Sequence, residues 1–184
     1  MNQIESNNTE VQIEDFMSKV FYAIGKITDE ELANLIKSKN QTISVAESLT
    51  GGLICERISS FPGASAYFTG GIVCYSNRVK VMELNIPAPI IAKDGPVNQQ
   101  VAQLLAENIR KKFKTSIGIS ATGVAGPTTV VPPKPIGLTY IAISSERETS
   151  CKEFRFQGTR KEIREKAAQA ALGILWMHLT EQET

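Results

Sequence analysis

The sequence predicts an α/β protein, a three-layer α/β/α sandwich around a mixed β-sheet in a single domain. Three observations predict it. Stretches with apolar residues at helical spacing alternate with short apolar runs of strand length, the pattern of helices laid on a sheet. Two of the short runs, Thr42–Ala46 and Ser116–Ala121, pass directly into loops of small residues. A hairpin pattern over Leu138–Phe156 argues against an all-parallel sheet. The length, 184 residues, suits one core.

Taken in order, residues 1–9 are rich in Asn, Glu and Ser and read as a frayed tail. Val11–Ile27 carries Ile13, Phe16, Met17, Val20, Phe21 and Ile24 at helical spacing, interrupted at Gly25. Residues 1–27 are therefore expected to form an N-terminal tail and helix, and residues 28–184 the domain proper. Asp29 opens a second helix with Leu32, Leu35 and Ile36 on one face, and Lys37–Gln41 is a polar turn. Thr42–Ala46 is the first strand. Leu53–Ser59 is a short helix that ends near Pro62-Gly63. Ala66–Ser76 is β-rich with Gly70-Gly71 inside it, which predicts a bulge or a close backbone approach. Asn77 is expected to cap a helix through Leu84, before Ile86-Pro87. Asp94–Val97 is a turn. Asn98 caps a long helix, Gln99 to about Lys112, with a stripe of Val101, Leu104, Leu105 and Ile109. Ser116–Ala121 is a second buried strand. Thr128–Pro135 is a loop with three prolines. Gly137–Ser144 and Lys152–Phe156 form the hairpin. Thr159 caps a long, amphipathic last helix, Arg160 to about Leu179.

Composition bounds the function. The hydrophobic fraction is 42%, the charged fraction 21% and the formal net charge +1, so no basic excess points to a nucleic-acid partner. The three cysteines, Cys55, Cys74 and Cys151, lack Cys-x-x-Cys spacing and read as reduced thiols of a cytoplasmic protein. A single histidine, His178, excludes a multi-imidazole metal site within one chain and sits in the terminal helix, where packing is its expected role. No apolar run is long enough to span a bilayer. The polar, acidic start of the chain is expected to be neither a signal nor a transit peptide.

Two loops stand out for chemistry. Glu47-Ser48-Leu49-Thr50-Gly51-Gly52 and Thr122-Gly123-Val124-Ala125-Gly126-Pro127 each follow a strand. In an open α/β sheet, ligands sit beyond the carboxyl ends of strands, and two such loops side by side would cradle a phosphate or an oxyanion. Neither is a Walker A loop or a dinucleotide fingerprint. Ser48 has two readings: a helix cap together with Thr50, or a nucleophile. A nucleophilic serine needs a base, and Lys80, one turn into the helix after Asn77, can serve if burial lowers its pKa.

The residues resemble a known family. Ser44–Gly52, the run from Tyr67 to Lys80, Thr122–Pro127 and Lys134-Pro135-Ile136-Gly137 are similar, in order, to the signature blocks of the CinA C-terminal domain family, and the resemblance runs from about Glu30 to Leu179. It implies hydrolysis of the carboxamide of nicotinamide mononucleotide to nicotinate mononucleotide and ammonia, without metal or other cofactor. It places the family's serine on Ser48, its lysine on Lys80 and its tyrosine on Tyr75. Glu47, Thr50, Gly51, Gly52, Asn77, Thr122, Gly123, Ala125 and Gly126 are then expected to bind substrate. Backbone N–H groups near Ser48 and Gly51-Gly52 would receive the oxyanion. Apart from the resemblance, the bidentate fork of a guanidinium suits a phosphate, and Arg160, at the start of the last helix, or Arg164 is expected to pair with it. The resemblance further implies a homodimer acting on a small molecule, and a domain lacking the molybdopterin-type N-terminal partner of longer members.

The sequence departs from the pattern in two places. Pro127 is followed by Thr128-Thr129-Val130-Val131-Pro132-Pro133, where the family has glycines, and Leu49 stands where cysteine is common. The loop change leaves two alternatives open: a catalytically silent nucleotide-binding or regulatory module on the same fold, or an amidohydrolase for another small amide.

Overall fold

The computed structural model describes residues 28–129 and 132–181. The tail and helix expected over 1–27 lie outside them. The elements are α1 (Asp29–Ser38), β1 (Ile43–Glu47), α2 (Leu53–Ser59), β2 (Phe68–Val73), α3 (Asn77–Leu84), α4 (Ala88–Asp94), α5 (Gln99–Phe113), β3 (Ile117–Gly123), β4 (Leu138–Ser144), β5 (Thr149–Arg155) and α6 (Arg160–Glu181). The strands form one mixed sheet in the order β2-β1-β3-β4-β5. Three are parallel, β2, β1 and β3, and the β3-β4-β5 half is antiparallel. This is the expected three-layer α/β domain.

Helices cover both faces because the central strands are apolar on both. β1 is buried along its whole length. Its Ile43 and Val45 pack with α1, α2 and α6, while Ala46 packs with α3, α4 and α5. Capping fixes the helix starts. Thr28 and Glu31 form a reciprocal capping box on α1, and Asn98 accepts from Val101 N–H on α5.

Four local outcomes differ from the expectation or refine it. Ser76, not Asn77, caps α3, accepting from Val79 N–H, and Asn77 is the first helical residue. Helix α4 has no counterpart in the sequence reading; Pro87 and Gly95 bracket it. The glycine pair in β2 does both jobs expected of it. Register slips so that Ile43 faces Phe68 and Ser44 faces Gly70, and a Cβ on Gly71 would stand 2.3 Å from Cys55 Sγ. Helix α6 is not simply amphipathic. Across Ala167–Leu175 only Gln169 keeps partial exposure, because the helix packs against β3 and β4 and also against helices α1 and α2.

Helix α5 sits unusually low on the sheet. Ala102 and Ala106 meet Ala142, and Ser120 Oγ donates to Ala102 O at 2.6 Å. A Cβ on Gly118 would lie 2.1 Å from Ala106 O and 2.7 Å from Arg110 Cβ. Gly118→Ala should therefore force α5 off β3 and cost on the order of 3 kcal/mol by overpacking. Urea unfolding checks this; a midpoint equal to that of the unaltered protein would show that the close approach is not needed.

Candidate active site

Parallel pairing of β2, β1 and β3 brings their carboxyl ends to one edge of the sheet. There Ser48 follows β1, Cys74 and Tyr75 follow β2, and Val124 follows β3. The edge is cut by a cleft of about 430 Å³, within the usual range for small-molecule sites. Ser48, Tyr75, Asn77, Lys80, Thr122, Gly123, Ala125, Gly126 and Arg160, all expected at the site, line it.

Lys80 is 1% exposed and Ser48 8% exposed. Lys80 Nζ lies 3.0 Å from Ser48 Oγ, 2.7 Å from Cys74 O and 3.4 Å from Tyr75 O. Burial pushes the Lys80 pKa below the usual lysine value, opposed only in part by the neighbouring Cys74 sulfur. Nζ thus has three oxygen partners: an ammonium would donate to all three, while a neutral amine would spend its two N–H bonds on the carbonyls and turn its lone pair to the Ser48 O–H.

The rest of the Ser48 turn is held by groups that the sequence reading assigned elsewhere. Glu47 was expected to bind substrate. It is fully buried, and its carboxylate accepts from the N–H groups of Gly52 (2.9 Å), Ile54 (3.2 Å) and Cys55 (2.8 Å). It therefore caps α2 from the end of β1, where the helix offers unpaired donors and favours negative charge. The same carboxylate adds to burial in raising the Cys55 thiol pKa. Thr50 neither caps α2 nor lines the cleft; its hydroxyl is buried without a partner. Gly51 and Gly52 also lie off the cleft and serve the turn, with φ of +62° and +102°.

The oxyanion donors must also be reassigned. Ser48 N–H donates to Ala121 O (2.9 Å) and Gly52 N–H to Glu47. The N–H groups of Leu49, Thr50 and Gly51 donate to nothing among the described residues, and Leu49 lines the cleft. Arg164, offered as a phosphate ligand, is spent on the backbone: Nε donates to Leu49 O (3.0 Å) and Nη2 to Thr50 O (2.8 Å). Arg160 does face the cleft, where Nη1 donates to Gly126 O and Nη2 to the Tyr75 hydroxyl, each at 2.7 Å. Thr122 donates its hydroxyl to Pro96 O (3.0 Å).

Sequence reasoning missed Ser76, Pro96, Val97, Thr128 and Thr129 as cleft residues. Only the two threonines carried a signal, since they directly follow the Gly-Pro loop. His178 is not a cleft residue. No group of His, Cys, Asp and Glu among the described residues is placed to hold a metal, and none of the described helices is long and apolar enough to cross a membrane.

Fold and site together define an α/β domain with a buried serine–lysine pair in a cleft at the carboxyl edge of a mixed sheet. The model of the CinA C-terminal domain matches residues 26–179, and the chain belongs to that family. A CinA-like protein of Dictyoglomus thermophilum is 44% identical over 154 residues, which cover 83% of this chain and 38% of that protein. A putative competence-damage inducible protein of Caldicellulosiruptor saccharolyticus is 40% identical over 176 residues, 95% of this chain and 42% of that one. The chain thus spans about two-fifths of these relatives. The crystal structure of competence/damage inducible protein CihA from Agrobacterium tumefaciens, 30% identical, superposes with a TM-score of 0.76 over 84% of this chain and 97% of that chain.

Two outcomes follow from this geometry. Glu47→Ala should destabilise the fold by at least roughly 3 kcal/mol in urea, because several buried N–H groups lose a charged acceptor; a loss under about 1 kcal/mol would show that water or other groups replace it. Lys80 should titrate below about 10.4, the ordinary lysine value, when followed by NMR of its side chain. Its contribution to stability should be lost as pH falls through that lowered folded value, and should grow as pH rises from there towards about 10.4. An unshifted titration would mean that the amine is solvated.

Proposed function

We propose that the domain hydrolyses the carboxamide of nicotinamide mononucleotide to nicotinate mononucleotide and ammonia. One observation carries the chemistry: a buried lysine amine 3.0 Å from a serine hydroxyl in a cleft of ligand size. The resemblance of the blocks around both residues supplies the substrate.

In this reading the Lys80 lone pair takes the Ser48 proton as Oγ bonds to the amide carbon. The carbonyl oxygen becomes an oxyanion for which the unpaired N–H of Leu49, a cleft residue, is the available donor; one such donor is typically worth roughly 3–4 kcal/mol. Protonated Lys80 gives its proton to the amide nitrogen as the C–N bond breaks, and ammonia leaves. Water, losing a proton to Lys80, then attacks the Ser48 ester; the C–O bond to Oγ breaks, and Oγ recovers the proton. Tyr75, within the cleft and hydrogen-bonded to Arg160, stands where it can share in protonating the leaving group. Arg160 and the Thr122–Gly126 loop offer a guanidinium and backbone to the anionic end of the substrate.

A second reading, nucleotide binding without turnover, draws on Thr128 and Thr129, which line the cleft where the family pattern has glycines. Ammonia release from nicotinamide mononucleotide and from nicotinamide riboside separates the readings. The expected result is turnover of the phosphorylated compound in preference to the riboside. Ser48→Ala and Lys80→Ala should each lose at least about 10³-fold in kcat, and Lys80→Arg should do no better, since a guanidinium keeps its proton. The pH profile of kcat/KM should rise with deprotonation of Lys80 and level above its lowered pKa. Tight nucleotide binding with no ammonia would favour the silent module. Turnover of other small amides alone would move the substrate but keep the reaction.

A further inference from the structure

We infer that Arg164 is a positioning residue for the Ser48 turn: its guanidinium fork holds the carbonyls of Leu49 and Thr50 and so fixes the turn on which the Ser48 hydroxyl and the Leu49 N–H sit. The inference rests on the reading of Ser48 as nucleophile, and it does not depend on which amide is the substrate.

Arg164 reaches the turn from α6, more than a hundred residues away in the chain, and bonds two consecutive carbonyls, Leu49 O at 3.0 Å and Thr50 O at 2.8 Å. A trans peptide is planar, with its N–H pointing opposite to its C=O. Holding Leu49 C=O and Thr50 C=O towards Arg164 therefore turns Thr50 N–H and Gly51 N–H away from it. These are among the N–H groups that donate to nothing among the described residues. Arg164 is not a cleft residue, while Ser48 and Leu49 are, so it holds the turn without lining the cleft.

The approach requires the local sequence. Gly51 has φ +62°, and a Cβ there would come within 3.0 Å of Arg164 Nη2. A lysine cannot replace the arginine, because one ammonium on a flexible stem does not hold two carbonyls in fixed geometry. The helix thus presents two arginines one turn apart. Arg160 faces the cleft at Gly126 and Tyr75, and Arg164 backs the turn.

The test uses the full chain and an activated ester, p-nitrophenyl acetate, read by nitrophenolate release and by mass spectrometry of the Ser48 peptide. In Arg164→Ala the rate of Ser48 acetylation should fall by on the order of 10²-fold, the size of effect expected from a nucleophile displaced by about 1 Å. Its pH midpoint should stay at the value for the unaltered protein, because Lys80 is untouched. Arg164→Lys should be nearly as slow, and millimolar guanidinium should restore part of the rate to Arg164→Ala. Equal acetylation rates in the unaltered protein and Arg164→Ala overturn the inference, as does a full rate in Arg164→Lys, which would show that charge alone matters. A shifted pH midpoint overturns it too, by routing the effect through Lys80. Absence of acetylation at Ser48 in the unaltered protein would instead bring down the nucleophile reading, and the inference with it.

Discussion

A closed circuit of hydrogen bonds sets the distance on which the site depends. Glu47 O accepts from both the N–H (2.8 Å) and the thiol (3.3 Å) of Cys74. Cys74 O accepts from Lys80 Nζ, and Lys80 Nζ meets the side chain of Ser48, the residue covalently joined to Glu47. The Glu47–Cys74 and Lys80–Ser48 links cross between β1 and the chain leaving β2, so strand pairing and side-chain placement are one constraint. Because the amine is 1% exposed, no water shell can replace a lost link, and an ammonium there would carry a desolvation penalty. Burial thus lowers the Lys80 pKa, while the circuit holds Nζ against the hydroxyl.

The sheet and its helices keep that circuit rigid from outside. Glu47 ties the end of β1 to the start of α2 through three N–H groups, and Arg164 ties the turn between them to α6. Ser48 N–H is itself a rung to β3 through Ala121 O. The Ser48 turn is thus anchored to β3, α2 and α6, although it lies at the end of a five-residue strand. Small residues on the other face, Gly118, Ser120 and Ala142, let α5 settle against β3 and β4.

The parts legible in the sequence were those whose signal is local. Strand–loop junctions, the caps Asn98 and Thr159, and the glycine pair in β2 all announce themselves within a few residues. So did the serine and the lysine, each inside a recognisable block. What was hidden depends on pairing across the chain. Nothing near Glu47 says that its carboxylate turns back onto a helix start rather than into the cleft. The partner of Ser48 N–H is visible only once β1 lies beside β3. Arg164 reads as one of two similar arginines until the turn it holds is in place. Helix α4 escaped because it is only seven residues long, too short for periodicity to declare it. The exchange of Asn77 for Ser76 as cap is a shift of one residue between two good capping types.

Of the two departures from the family pattern, Leu49 lies next to Ser48, while the threonines after Pro127 come from a different part of the chain from the serine–lysine pair. Ser48, Lys80 and Tyr75 come from the ends of β1 and β2 and the start of α3. Thr128 and Thr129 come from the loop between β3 and β4. The Thr129 hydroxyl donates to Lys134 O at 2.6 Å and accepts from Lys134 N–H at 2.8 Å, which ties this cleft residue to Lys134. A side chain tied in this way needs no reordering on binding and can favour one ligand shape over others. None of the four links of the Glu47–Cys74–Lys80–Ser48 circuit passes through the loop. A change in Thr128 or Thr129 can therefore alter which molecule is held while leaving the amine and the hydroxyl 3.0 Å apart.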